Sequence, residues 1–260
     1  MQLDDAYANV PYIPSAESYP PRWTAEAATF RASLGARAAI DLAYGPSVRQ
    51  RFDFFSAGPA PKGTVIFVHG GYWLRFDKSY WSHLAQGALG RGWNVSMVQY
   101  DLCPDVSIAQ ITDQIAASVA AIVARTSGPI SLTGHSAGGH LVARMLAPEM
   151  LAAEVAQRIA AVAAISPVAD LRPLLQTSMN ADFGMDMAAA EAESPVLQPE
   201  PDTPVKIWVG DDERPVFLEQ AAALAQAWGV EKVVVAGKHH FDIIDALLSS
   251  ESDLTEFLTA

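Results

Sequence analysis

The run Gly134-His135-Ser136-Ala137-Gly138 sits between Pro129-Ile-Ser-Leu-Thr133, a short apolar stretch with strand character, and Gly139-His-Leu-Val-Ala-Arg-Met-Leu-Ala147, which has helical composition. A serine on so tight a strand-to-helix turn needs almost no side chain two residues to either side. Both of those positions are glycine. Gly-x-Ser-x-Gly in this setting holds a hydroxyl out as a nucleophile, so Ser136 is the first candidate catalytic residue. The same pattern constrains the fold, because the turn requires a buried strand that feeds directly into a helix.

A second glycine-rich turn has the same context. Thr64-Val-Ile-Phe-Val68 is a buried-strand run that ends in His69-Gly70-Gly71-Tyr72-Trp73. Glycines there let the backbone come close to a bound molecule, and preorganised N–H groups stabilise negative charge on a tetrahedral oxygen. Farther on, the strand-like Pro204-Val-Lys-Ile-Trp-Val209 leads into Gly210-Asp211-Asp212-Glu213-Arg214-Pro215, and Glu231-Lys-Val-Val-Val-Ala236 leads into Gly237-Lys-His239-His240-Phe241-Asp242. Serine, acid and histidine in that order are a nucleophile, an orienting group and a base. By residue type alone, Asp211, Asp212 and Glu213 all qualify as the acid, and His239 and His240 both qualify as the base. The other histidines have plainer readings: His69 and His135 belong to the loop motifs, His140 follows the serine turn, and His83 falls on an expected surface helix. None is paired at the spacing of a helical zinc site, so no catalytic metal is expected.

Strand candidates fall at 50–55, 64–68, 93–99, 129–133, 161–166, 205–209 and 232–236, and most are separated by helical patterns. From Ser107 to Ala124, Ile108, Ile111, Ile115, Val119 and Ile122 recur at three-to-four spacing, the stripe of a helix packed on a sheet. This alternation predicts an α/β fold whose mostly parallel central sheet, of about eight strands, carries helices on both faces. Ligands in such sheets bind beyond the carboxyl ends of the strands, where all the candidate residues fall. Residues 1–260 read as a single domain. Two stretches break the alternation: 1–45, rich in aromatics and prolines, and 168–203, rich in Met, Ala and Pro. Both are candidate cap elements.

Seventeen basic and twenty-nine acidic residues give a net charge of −12, and no basic run is available for nucleic acid. Cys103 is the lone cysteine, so no internal disulfide can form. The longest apolar stretch, 115–124, is too short to span a membrane. The opening Met-Gln-Leu-Asp-Asp lacks a charged-then-apolar leader, and a cytoplasmic setting is expected. No interface pattern fixes the assembly state, and a homodimer stays open.

His-Gly-Gly-Tyr-Trp (69–73), Tyr100-Asp-Leu-Cys-Pro104, Gly-His-Ser-Ala-Gly-Gly-His (134–140), Val209-Gly-Asp-Asp-Glu-Arg-Pro-Val-Phe217 and His240-Phe-Asp-Ile-Ile244 together resemble the kynurenine formamidase (arylformamidase) branch of the α/β-hydrolases, close to the hormone-sensitive-lipase-type esterases. The likeness covers nearly the whole chain and implies the α/β-hydrolase fold. It also implies catalytic Ser136, Glu213 and His240, with oxyanion donors at Gly71, Tyr72 and Ala137. Animal members carry an aspartate where this chain has Glu213. The implied reaction is cofactor-free hydrolysis of a small ester or aryl formamide, foremost N-formylkynurenine, through an acyl-serine. A carboxylesterase or thioesterase is the alternative, and a non-catalytic ligand-binding relative is a third reading. Tyr72 and Trp73, next to the expected donors, are expected to narrow the acyl side, with Trp73 touching substrate and Arg75 facing a substrate carboxylate.

Overall fold

A computed structural model describes residues 3–148 and 150–260; Met1 and Gln2 of the expected arm and Glu149 lie outside the described residues. Eight strands form one sheet: β1 (Ala38–Ala43), β2 (Arg51–Phe55), β3 (Thr64–Val68), β4 (Asn94–Val98), β5 (Ile130–His135), β6 (Ile159–Ile165), β7 (Val205–Gly210) and β8 (Glu231–Val235). Their order is β1-β2-β4-β3-β5-β6-β7-β8. Only β2 runs against its neighbours, and from β4 to β8 every pairing is parallel.

Strands β3, β4 and β5 are buried along their whole length, as strands covered on both faces must be. Side-chain alternation divides the core in two. Ile66 and Val68 point to one face, where they meet the isoleucine stripe of helix Ile108–Val123, the helix Ala137–Arg144 and the helix Pro215–Ala227. Val65 and Phe67 point to the other, where Trp23 and Leu34 of helix Tyr19–Leu34 and Leu254 and Leu258 of helix Asp253–Leu258 cover them. Each buried Ile or Leu of these stripes contributes about 1.5–3 kcal/mol of transfer free energy. Helix Ile108–Val123 starts sharply because Ser107 and Gln110 close a reciprocal capping box.

The stretch 1–45 contains more than an arm. Its end forms the edge strand β1, whose Ala-Ala-Ile-Asp-Leu-Ala sequence has little strand preference and whose register slips between Ala39 and Leu42. The slip is held by charge: Lys78 Nζ lies 2.6 Å from Asp41 Oδ1 and 2.7 Å from Asp53 Oδ1, while the Asp41 N–H donates to the same Asp53 oxygen at 2.9 Å. His83 is not on a surface helix. It is 5% exposed on the 3₁₀ turn Ser82–Ala85, with Nε2 3.4 Å from Glu26 Oε2. Among the described residues, no helix is long and apolar enough to cross a membrane.

The 168–203 stretch is stitched to the helix behind Ser136 by one buried carboxylate. Glu193 Oε2 accepts from Thr112 Oγ1 at 2.6 Å and from Arg144 Nε at 3.2 Å, Arg144 Nη2 donates to Glu193 Oε1 at 3.3 Å, and the Glu193 carbonyl meets His140 Nε2 at 2.7 Å. Removing one partner of a buried ion pair strands the other charge in a poor solvent. Glu193→Ala is therefore expected to cost about 3–5 kcal/mol in urea unfolding. Glu231→Ala, which removes the exposed partner of Lys206, should stay within about 1 kcal/mol. Equal losses would contradict this distinction.

Candidate active site

The parallel registers bring five strand ends to one edge of the sheet. Val68 pairs with Gly134, His135 with Ile165, Ile165 with Trp208, and Gly210 with Val235. The loops after β3, β5, β7 and β8 consequently converge. Ser136 occupies the β5-to-helix turn with φ 56° and ψ −118°, a left-handed conformation that side chains rarely adopt. The turn is fixed on both sides: the Ser136 N–H donates to the Ile165 carbonyl at 2.8 Å, and its own carbonyl accepts from His140 N at 3.0 Å. A Cβ on Gly138 would stand 2.0 Å from the Val68 carbonyl oxygen, and one on Gly134 would stand 2.3 Å from that of Gly138. The sterics that motivate Gly-x-Ser-x-Gly are therefore backbone against backbone.

At the end of β7 the competition among acids is resolved by reach. Glu213 is buried, and its Oε2 lies 2.6 Å from His240 Nδ1. Its Oε1 accepts from the Gly210 N–H at 2.9 Å and from Ser166 Oγ at 2.5 Å. Asp211 and Asp212 are exposed, and Asp211 Oδ1 instead accepts from the Gly237 N–H at 2.6 Å. His239 turns away, with Nε2 3.0 Å from the Tyr19 hydroxyl. A carboxylate facing Nδ1 of His240 keeps the proton on that nitrogen and leaves Nε2 as an acceptor. The His240 ring is held between Phe217 and His135, with centroids 4.2 and 4.6 Å away.

The His-Gly-Gly loop carries three successive positive φ values: 110° at Gly71, 54° at Tyr72 and 57° at Trp73. Such strain persists only where the surroundings enforce it. Here His69 stacks on Tyr100 with centroids 4.4 Å apart, Tyr100 Oη donates to the His69 carbonyl at 2.8 Å, and Tyr72 Oη donates to the Tyr7 carbonyl at 2.7 Å. Among the described residues, the N–H groups of Gly71, Tyr72 and Ala137 have no acceptor. That of Ala137 opens a helix, where the first N–H groups are unpaired by geometry.

Gly71, Tyr72, Ser136 and His240 line a cavity of about 540 Å³, within the usual range for small-molecule sites. Arg75 lines it as well, without a carboxylate partner among the described residues. Trp73 does not. It is 0% exposed and packs edge-on against His140 and Phe183 behind the loop, so the expectation that it touches substrate is corrected. Its positive φ turns the side chain into the core beneath the strained loop. Two participants are absent from the sequence reading, Ser166 and Gln220, whereas Tyr7, one of the aromatics of the 1–45 cap candidate, does line the cavity. Ser166 directly follows β6 and precedes a proline, and that polar residue just beyond a strand's carboxyl end is the available signal. Cys103 is buried, and burial pushes its thiol up to about 11, so it stays protonated at neutral pH.

The fold agrees with what the chain resembles. The family profile described as alpha/beta hydrolase fold matches residues 65–239. The kynurenine formamidase of Drosophila melanogaster is 30% identical over 240 residues, covering 84% of this chain and 79% of that protein. The chain belongs to the α/β-hydrolases, in the kynurenine formamidase-like branch. The kynurenine formamidase of Salmo salar is 27% identical over 246 residues, covering 88% of this chain and 84% of that one. Among solved structures, a protein of Silicibacter sp. TM1040, provisionally assigned as a thioesterase, superposes with a TM-score of 0.99 at 55% identity, with 100% of both chains covered. Esterase B of Lactobacillus rhamnosus shares the fold at a TM-score of 0.66 and 20% identity, over 94% of this chain and 92% of that one. This α/β-hydrolase is accordingly a hydrolase by family.

Burial also governs the bystander histidines. It lowers His69, His83 and His140 from 6.5 to about 4, and with help from neighbouring His240 it holds His135 well below its ordinary value. The unfolded chain takes up these protons near 6.5 and the folded chain only near about 4. Stability is therefore full above the upper value and lost as pH falls toward the lower one. The urea midpoint should drop steadily across that window. A flat midpoint would show that these rings protonate freely in the folded protein.

Proposed function

We propose that this α/β-hydrolase is a serine hydrolase that cleaves short-acyl aryl amides and esters, with N-formylkynurenine as its foremost substrate. The observation that carries the reading is the buried Glu213–His240 pair, 2.6 Å apart, opening onto the same cavity as the strained Ser136 turn. His240 Nε2 takes the proton from Ser136 Oγ as the oxygen attacks the carbonyl carbon. Glu213 orients the imidazole and stabilises its cationic form. The N–H groups of Gly71, Tyr72 and Ala137 receive the oxyanion. His240 then gives its proton to the departing arylamine nitrogen or alcohol oxygen as the bond to carbon breaks. Water, deprotonated by the same imidazole, releases the acyl group. With N-formylkynurenine the intermediate is formyl-Ser136 and the products are kynurenine and formate. The residues need no cofactor for these steps. A glutamate in place of the animal aspartate lengthens the carboxylate arm by one methylene, and Ser166 and Gly210 anchor the oxygen that does not face His240.

A thioester is the second reading, favoured by the 55% identical Silicibacter protein. The same residues serve it, with a thiolate as leaving group. A panel of N-formylkynurenine, p-nitrophenyl acetate and acetyl-thiocholine separates the readings by kcat/KM.

Ser136→Ala is expected to lower kcat by about 10⁴–10⁶ without loss of fold. His240→Ala and Glu213→Gln should be severely impaired, while His239→Ala and Asp211→Asn stay within about fivefold of the parent, as expected of groups outside the reacting unit. Near-normal turnover in Glu213→Gln would transfer the orienting role to another residue.

Tyr72, pinned through its hydroxyl to Tyr7, borders the oxyanion turn and crowds the acyl side, while Trp73 lies behind it. Formyl and acetyl groups should consequently be preferred. In a series of p-nitrophenyl acetate, butyrate and octanoate, kcat/KM is expected to fall with chain length. A steep rise, as in a pocket that gains binding with each methylene, would remove support for both the narrow acyl side and the formamidase reading.

A further inference from the structure

Residues 3–18 cross the mouth of the cavity without joining the sheet, and Tyr7, Val10, Pro11 and Ala16 line it from above. The segment has no strand and only short 3₁₀ turns, at Val10–Tyr12 and Ala16–Ser18. Its own hydrogen bonds cannot hold it down. Two buried contacts anchor its middle: the Tyr7 carbonyl accepts from Tyr72 Oη at 2.7 Å, and the Tyr7 hydroxyl accepts from Gln220 Nε2 at 3.0 Å.

A third anchor comes from the residue next to Glu213. Arg214 Nη2 donates to the Asp5 carbonyl at 3.1 Å and to Asp5 Oδ2 at 2.8 Å. Its guanidinium carbon lies 3.6 Å from the centroid of the Tyr12 ring. Tyr12 Oη closes the circuit by donating to Asp5 Oδ1 at 2.5 Å. A planar guanidinium can stack and form directed hydrogen bonds at once, which lysine cannot do. Tyr12 is 48% exposed, so burial alone does not fix its place. The side chains of Arg214 and Asp5 are 20% and 74% exposed. A simple ion pair that open would count for little, and the stacked tyrosine distinguishes this one.

We propose that Arg214 is a specificity-determining positioning residue, which clasps residues 5–12 over the cavity and makes Tyr7, Val10 and Pro11 the wall for an apolar, planar leaving group. The turn that presents the carboxylate to His240 thereby also holds the cover over Ser136. Catalytic chemistry and leaving-group selection share one anchor, yet they use different side chains. Arg214 touches none of the reacting atoms, and its effect is expected in substrate binding. The proposal rests on the serine-hydrolase reading of the site.

The test compares Arg214→Ala with Asp5→Ala, which opens the clasp from the arm and leaves the Glu213 turn untouched. Substrates are 1-naphthyl acetate and ethyl acetate, which share the acyl group and differ in the leaving group. In both variants KM for the naphthyl ester should rise about tenfold with kcat within about twofold, while ethyl acetate is unaffected, the signature of lost binding that is uniform between ground and transition states. Chymotryptic cleavage after Tyr12, followed by mass spectrometry, should accelerate about tenfold in both variants as the segment opens more often. Equal losses on both esters, a fall confined to kcat, or unchanged cleavage would overturn the proposal. Failure of the parent protein to hydrolyse both esters would instead refute the serine-hydrolase reading and take the leaving-group wall with it, while cleavage would still decide whether the clasp exists.

Discussion

A carboxylate buried away from water is tolerated only where hydrogen bonds replace its hydration shell. Glu213 is such a group, and the arrangement of the site follows from how it is satisfied. Its donors come from three places in the sheet: Gly210 at the end of β7, Ser166 just past β6, and His240 in the loop after β8. For all three to reach one carboxylate, β6, β7 and β8 must be adjacent, parallel and in register. The observed pairings of Ile165 with Trp208 and Gly210 with Val235 meet that condition. The neighbouring strand β5 then delivers Ser136, whose N–H is tied to the Ile165 carbonyl.

The other half of the site depends on backbone contact. Gly138 packs against the carbonyls of Val68 and His69, and Gly70 against the carbonyl of His135 and Cβ of Ser136, so the serine turn and the His-Gly-Gly loop meet directly. The glycine spacing is a functional signal for this reason: only a missing Cβ permits the approach. The loop's strain is balanced by its buried supports, the His69–Tyr100 stack and the bond from Tyr72 to Tyr7. The last of these links the His-Gly-Gly loop to the N-terminal segment. The cavity's N-terminal wall and the His-Gly-Gly loop are thereby one connected unit.

Seven of the eight strands, the serine turn and the stripe of helix Ile108–Val123 are legible in the sequence because each expresses a local rule: apolar runs, glycine spacing or helical period. β1 is not legible, since its pairing is held by Lys78 from far along the chain and its residues have weak strand preference. The choice of Glu213 over Asp211 and Asp212, and of His240 over His239, requires the resemblance. Three neighbouring acids are alike in sequence and differ only in which of them the turn points inward. Trp73 misleads because position beside a functional loop says nothing about which way a side chain faces. Its positive φ sends it into the core. His83 misleads similarly, since helical composition does not reveal that the turn is packed between helix Tyr19–Leu34 and the 3₁₀ turn Ile243–Leu248. Ser166 and Gln220 act through contacts 47 and 213 residues distant in the chain, and no local pattern encodes such partners.

The central claim is that Ser136 becomes covalently acylated with His240 as its base. Rapid-quench intact-mass analysis during turnover of p-nitrophenyl acetate, followed by peptide mapping, addresses it directly. The account predicts a transient acetyl adduct on the peptide containing Ser136, formed in step with the p-nitrophenol burst and absent from Ser136→Ala. An adduct on another residue, or undiminished turnover by Ser136→Ala, would contradict it.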